Sequence, residues 1–182
     1  MGIIDDIFKH NNEFVAEKGY ERFENVPATG QRIVVLTCMD ARIDALLPSA
    51  LGLDSSQAMF ITNAGGVITH PFGSVVRSLL YCVHVLGVDT ILVIGHTECE
   101  TQYMSAEKML DCVRASGVDQ SSIDMMRYCG VDFDKWLAGV ADSDDSVINT
   151  VRAVKNHPLM PKNITVCGFL VDNETGKLAQ VL

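Results

Sequence analysis

The chain has 182 residues, enough for one domain with a substantial core and no need of covalent staples. Hydrophobic residues make up 48% of it and the formal charge at pH 7 is -9. That balance excludes intrinsic disorder and argues against a nucleic-acid partner, whose phosphates require clustered Lys and Arg.

No basic head precedes an apolar run at Met1-Gly2-Ile3-Ile4, and no apolar stretch approaches the length of a membrane span. The expectation is a cytoplasmic protein without a membrane partner. Its 6 cysteines then read as metal ligands or buried thiols rather than disulfides.

Apolar Ile4, Ile7, Phe8, Phe14 and Val15, with Asp5 and Asp6 in the first turn, predict an amphipathic helix over 4–17. Residues 18–30 are polar and punctuated by Pro and Gly. Residues 1–30 thus form a helical arm and connector, suited to reach a neighbouring subunit, ahead of a single α/β domain over 31–182. Residues 31–37 read as the first strand, ended by Cys38, and 44–51 as a short helix closed by Gly52. A second strand over 58–61 leads into Thr62-Asn63-Ala64-Gly65-Gly66, where paired glycines permit positive φ or close backbone approach.

Pro71 suits the first position of the next helix, which continues through Phe72, Val75, Val76, Leu79, Leu80, Val83 and Leu86 to a stop at Gly87. Residues 90–95 form a third strand followed by His96. Ser105 caps a helix over 106–115, with Met104 and Met109 as a hydrophobic staple. Residues 117–139 read as loop and short helix. Ser143, Asp144 and Asp145 open a helix that runs through Val147, Ile148, Val151 and Val154 and ends before Pro158. Residues 164–171 form a fourth strand, 172–176 a turn, and 177–181 an edge strand. This alternation predicts a doubly wound, mostly parallel sheet of order 2-1-3-4 with flanking helices and an antiparallel edge strand. The first and third strands then lie side by side at the switch point, where such sheets bind ligands.

Cys38 and His96 end those two neighbouring strands, and Cys99 follows His96 at a spacing that lets a tight turn present both to one ion. Two thiolates and one imidazole are a zinc set, and three protein ligands leave a coordination position open, as catalytic sites require. Asp40 and Arg42 stand two apart, so an extended segment points them the same way and lets them pair. Beside a three-ligand metal, a carboxylate held by a guanidinium is an oriented acceptor. Elsewhere it is a loop-stabilising ion pair.

These residues carry a resemblance. Cys38-x-Asp40-x-Arg42 with His96-x-x-Cys99 is similar to the zinc signature of the β-class carbonic anhydrases. The match continues through Asn63-Ala64-Gly65, Arg77-Ser78-Leu79, Val166-x-Gly168-Phe169, Asp172 and Gly176-Lys177-Leu178. The resemblance implies zinc on Cys38, His96 and Cys99, water activated at the fourth position, and reversible hydration of carbon dioxide to bicarbonate and a proton. It implies that Asp40 accepts the hydroxide proton and aims the lone pair at the carbon, that Arg42 holds Asp40 off the metal, and that Asp40 becomes the fourth ligand in a closed form if the pair opens. It also implies a homodimer or larger homo-oligomer in which the amino-terminal helix grips its neighbour.

The chain departs from the family at Glu98-Cys99-Glu100, where Asp then Cys-Gly is usual. Three readings of Glu100 stay open: it repels bicarbonate, obstructs the pocket, or faces solvent. Gln102 is a candidate for the family's amide beside the nucleophile by residue type alone, and Tyr103 for a pocket wall. His70 and His84 read as surface or packing residues before proton shuttles, His10 and His157 as solvated, and Gly66 and Cys82 as structural. Cys112, Cys129 and Cys167 read as packed thiols. Other functions compatible with the residues are carbonyl sulfide or carbon disulfide hydrolysis on the same scaffold, zinc binding without turnover, and a transferase using Cys38 as nucleophile.

Overall fold

The computed structural model describes residues 2–140 and 142–182. Five strands, β1 (Ile33–Cys38), β2 (Ala58–Asn63), β3 (Thr90–His96), β4 (Thr165–Val171) and β5 (Leu178–Gln180), form one sheet of order β2-β1-β3-β4-β5. The first four are parallel and β5 pairs antiparallel on the edge, so the expected order holds. The helices are α1 (Ile3–Ala16), α2 (Ala41–Leu51), α3 (Ser74–His84), α4 (Ala106–Ala115), α5 (Gln120–Tyr128), α6 (Phe133–Trp136) and α7 (Ser143–Lys155).

Near-continuous aliphatic runs make β1 and β3 strands buried on both faces. The period of two sorts them: Val34, Leu36, Ile91, Val93 and Val166 pack with Leu79 of α3 and Val147, Val151 and Val154 of α7. Val35, Ile94 and Val171 face Ile43 and Leu47 of α2 on the other side. At the observed burial, each of these side chains contributes roughly 1.5–3 kcal/mol of transfer free energy.

The largest departures from the expected elements each have a local reason. Helix α2 begins at Ala41 rather than 44 because Asp40 caps it, its Oδ1 accepting the Arg42 N–H at 2.9 Å. Helix α3 begins at Ser74, not Pro71: Pro71 stands in a turn closed by Gly73 N–H on His70 O at 3.1 Å, which leaves Phe72 80% exposed. Residues 117–139 hold two helices, α5 and α6, where a loop with one short helix was expected. Helix α5 buries only Ile123, against Ala106 and Leu110 of α4 and Phe133 of α6, so its sequence carries almost no apolar stripe.

Helix α1 buries no residue at all, and Ile3, Ile4, Ile7 and Phe8 stand more than half exposed along it. Among the described residues, no helix is long and apolar enough to cross a membrane.

Helix α7 lies close over the sheet because two strand positions lack a side chain. A Cβ on Gly95 would come within 2.7 Å of Val147 Cγ2, and one on Gly168 within 2.8 Å of Val147 Cγ1 and 3.1 Å of Val151 Cγ2. Gly168→Ala is therefore expected to overpack this layer by about 1–3 kcal/mol, lowering the thermal midpoint by about 3–9 °C in calorimetry. Adding Val147→Ala should cost less than the sum of the two single changes, since it returns the missing space.

Candidate metal centre

Parallel pairing of β1 with β3 carries Thr37 opposite Ile94, so the two chains leave the sheet together at Cys38 and His96. A tight turn then brings back Cys99. Donor atoms of Cys38, His96 and Cys99 all lie within 4.8 Å of one another, and the three residues are at most 3% exposed. Cys38 Sγ and Cys99 Sγ are 3.8 Å apart. Two sulfurs at about 2.3 Å from one tetrahedral zinc stand about 3.8 Å apart, so the sulfurs are spaced as that ion requires.

The imidazole fits the same demand. His96 Nδ1 lies 2.8 Å from the Thr97 carbonyl, which only accepts, so Nδ1 carries the proton. Nε2 keeps its lone pair and is buried without a hydrogen-bond partner among the described residues. A buried orphan nitrogen beside two sulfurs is the donor set of a cation site.

Charge points the same way. Cys99 is lowered by the Cys38 thiol that donates to it, with help from His96 and from Thr101, whose Oγ1 is 2.9 Å from the Cys99 sulfur. Cys38 is raised by that same contact and by burial, although the backbone N–H groups of Asp40 and Gly65 point at its sulfur. Burial alone would lower His96; the Cys99 sulfur and the Thr97 carbonyl raise it on balance. One thiolate is stabilised here and a second needs a cation. Cys38, at 3% exposed, is poorly placed to be a free nucleophile.

The surrounding loops hold the cluster in place. Gly66, at φ 65, passes so close behind β1 that a Cβ would come within 2.9 Å of Cys38 N. Asn63 clasps the turn before it, Nδ2 donating to Val67 O at 2.7 Å and Oδ1 accepting Val67 N–H at 3.1 Å. Ser143 of α7 donates to His96 O at 2.9 Å. Thr101 and Ser143 escaped the sequence reading; a hydroxyl two residues after a ligand cysteine was the available signal for the first.

Asp40 and Arg42 pair as expected, but through a helix start rather than an extended segment. Arg42 Nε donates to Asp40 Oδ1 at 3.1 Å and Nη2 to Oδ2 at 2.8 Å. The guanidinium holds the Asp40 carboxyl down to about 2. Arg42 is raised chiefly by Asp40, with smaller contributions from Glu98 and Glu100. Glu100 is exposed, so it does not fill the pocket.

An apolar cleft of about 240 Å³ adjoins the cluster, lined by Ala64, Val67, Thr101, Trp136, Leu137 and Val140 among others. Thr101, whose Oγ1 lies against the Cys99 sulfur, and Val140, which packs with Cys38 and Cys99, form its wall on the side of the cluster.

Other candidates lie elsewhere. Gln102 Nε2 is bound to Ser143 Oγ, which occupies its amide, and Tyr103 is 63% exposed. His157 is buried rather than solvated: Nδ1 accepts Leu159 N–H and Nε2 bonds Pro71 O, satisfying both nitrogens. His84 Nε2 bonds Leu159 O, and His70 Nδ1 accepts Phe72 N–H. Cys112 and Cys129 are exposed, not packed, because α4 and α5 turn only one narrow side inward; Cys82 is buried and Cys167 half-buried.

Asp40 has a folded pKa below its ordinary value, so its ion pair stabilises the fold above about pH 4, the ordinary carboxylate range, and loses that contribution as pH falls towards about 2. In denaturant unfolding of metal-free protein, wild type should exceed Asp40→Asn by a constant margin above about pH 5, with the difference shrinking as pH falls and vanishing only below about pH 2.

Comparison with known proteins agrees with this geometry. The carbonic anhydrase family model matches residues 33–178. The Bacillus subtilis protein named "Putative carbonic anhydrase YvdA" is 37% identical over 182 residues, spanning 100% of this chain and 92% of that one. A carbon disulfide hydrolase of Acidithiobacillus thiooxidans is 30% identical, spanning 81% of this chain and 76% of its own. The crystal structure of β-carbonic anhydrase isoform I from Trichomonas vaginalis superposes with a TM-score of 0.88 at 29% identity, covering 100% of this chain and 98% of that one. With the matched residues running from β1 to β5 across the whole cluster, the chain belongs to the β-class carbonic anhydrase family.

Proposed function

We propose that the chain is a zinc-dependent carbonic anhydrase that interconverts carbon dioxide and bicarbonate, with the metal on Cys38, His96 and Cys99. The observation that carries the reading is the meeting of two buried sulfurs and an unpartnered imidazole nitrogen beside a fixed carboxylate. When bound, zinc supplies the Lewis acidity that makes water a nucleophile near neutral pH.

The chain's own residues do the rest. Asp40 Oδ1 accepts two donations from Arg42, its N–H and its Nε, whereas Oδ2 accepts one. Oδ2 therefore keeps a lone pair with which to accept a hydrogen bond from the attacking oxygen and hold its direction. Arg42 keeps both oxygens directed and the carboxylate ionised, which favours the form with Asp40 off the metal. The apolar cleft beside the cluster suits an uncharged substrate.

Carbon disulfide hydrolysis is the second reading, favoured by the Acidithiobacillus relative; it uses the same ligands and differs in what the cleft admits. A chain that binds zinc without turnover is the third. We read residues 1–30 as an arm whose exposed Ile3, Ile4, Ile7 and Phe8 pack on a second copy, giving a homodimer or larger homo-oligomer around the 31–182 domain. Six free cysteines suit a reducing compartment such as the cytoplasm.

Purified protein is expected to carry about one zinc per chain, and Cys38→Ala, His96→Ala or Cys99→Ala to lose it, measured by elemental analysis. Metal retained in any of the three would remove that residue from the ligand set. Asp40→Asn should keep the zinc and lose about 100-fold or more in carbon dioxide hydration by stopped flow. The same assay with carbon disulfide separates the readings: turnover of that substrate alone would assign the second, and of neither the third.

A further inference from the structure

Between His96 and Cys99 the backbone must reverse within two residues. Glu98 achieves this at φ 50, a left-handed conformation that residues other than Gly and Asn seldom adopt. The support for it comes from the turn between β4 and β5, a segment that the function proposed above does not use. Thr97 N–H donates to Val171 O at 3.1 Å. Thr97 Oγ1 donates to Asn173 Oδ1 at 2.9 Å, and Asn173 N–H donates back to Thr97 Oγ1 at 3.1 Å. Asn173 Nδ2 donates to Glu98 Oε2 at 3.4 Å. One residue thus grips both residues that separate the two ligands.

The turn that presents Asn173 is itself locked. Asp172 Oδ1 accepts the N–H of Glu174 at 3.2 Å and both the N–H and hydroxyl of Thr175 at 2.7 Å. Gly176 N–H donates to Asp172 O at 2.9 Å, and at φ 71 it lies against Leu46 and Ala50 of α2. Asn173 is delivered to the ligand turn on a rigid base.

We propose that Asn173 is a positioning residue of the metal centre, which holds Thr97 and Glu98 in the one conformation that lets His96 and Cys99 face the same ion and so sets how long the ion stays. The inference rests on the metal-binding reading of those residues and extends it to a residue outside the ligand motifs. Groups that orient ligands in this way typically change metal affinity about 10–100-fold when removed.

The contact between Asn173 and Glu98 has a polarity that can be reversed, which separates positioning from plain structural support. Zinc-loaded protein is mixed with excess chromophoric chelator and metal release is followed, while the metal-free forms are melted in parallel. Asn173→Ala should release zinc about 10–100-fold faster, with the metal-free midpoint within about 2 °C of wild type.

Asn173→Asp keeps the acceptor for Thr97 but sets a carboxylate against Glu98, and should also release faster. Glu98→Gln alone should release at the wild-type rate, because its amide oxygen still accepts from Asn173. The double variant N173D/E98Q, in which the new amide donates to the new carboxylate, should return towards the wild-type rate. Release from N173A at the wild-type rate, or no recovery in the double variant, would overturn the proposal. So would a metal-free midpoint that falls as far as the zinc-loaded one. A wild-type chain that takes up no zinc would overturn the metal reading itself, and this inference with it.

Discussion

Everything at the working end of this protein depends on an electrostatic constraint: two buried thiols 3.8 Å apart and an imidazole nitrogen with no partner, all in a medium where charge is costly. Without a cation the pair can comfortably ionise only once, with Cys99 lowered and Cys38 raised. Backbone N–H groups of Asp40 and Gly65 and the Thr101 hydroxyl partly offset the negative charge. They do nothing for the lone pair of His96. A divalent ion satisfies all three donors together, which is why this donor set reads as a metal centre rather than a redox or nucleophilic one.

The rest of the fold can be understood as what keeps that arrangement from relaxing. Parallel pairing delivers two strand ends side by side, and the glycines at 95 and 168 let α7 press close enough for Ser143 to bond the His96 carbonyl. Gly66 lets the turn after β2 pass directly behind Cys38. On the other side, Asp40 serves as helix cap and as the fixed carboxylate at the same time. The backbone that starts α2 therefore also aims the acceptor. A loss of the cap would disturb both roles, a coupling that an isolated ion pair at the surface would lack.

Relatives of this chain include proteins named carbonic anhydrase and carbon disulfide hydrolase, so family membership alone does not single out a substrate. Beside the cluster lies an apolar cleft bounded by Thr101 and Val140, while Asp40 and Arg42 form their ion pair at the start of α2. Glu98 and Glu100, the positions at which the chain departs from the family pattern, both face solvent. Both raise Arg42 slightly, and the Glu98 carboxylate also accepts from Asn173. Glu98 matters more for its backbone, which turns through φ 50 between two ligands.

Strand β1, strand β3 and the residues that end them were legible from sequence, because aliphatic runs that stop at Cys38 and His96 have few other readings. Sheet order followed from alternation and handedness. Helix α5 was not legible: its single inward residue, Ile123, gives no periodicity, and only the presence of α4 and α6 around it makes that residue a core. His157 looked solvated beside a helix end, yet it is buried, because Pro71 and Leu159 arrive from elsewhere to satisfy its nitrogens. Residue identity and order alone thus determined which atoms are able to bind metal and which strands carry them, since both are properties of local pattern. The tertiary structure decided how close the two thiols stand, which imidazole nitrogen is left over and which distant turn bonds Thr97 and Glu98, since each of these depends on partners that only folding brings within reach.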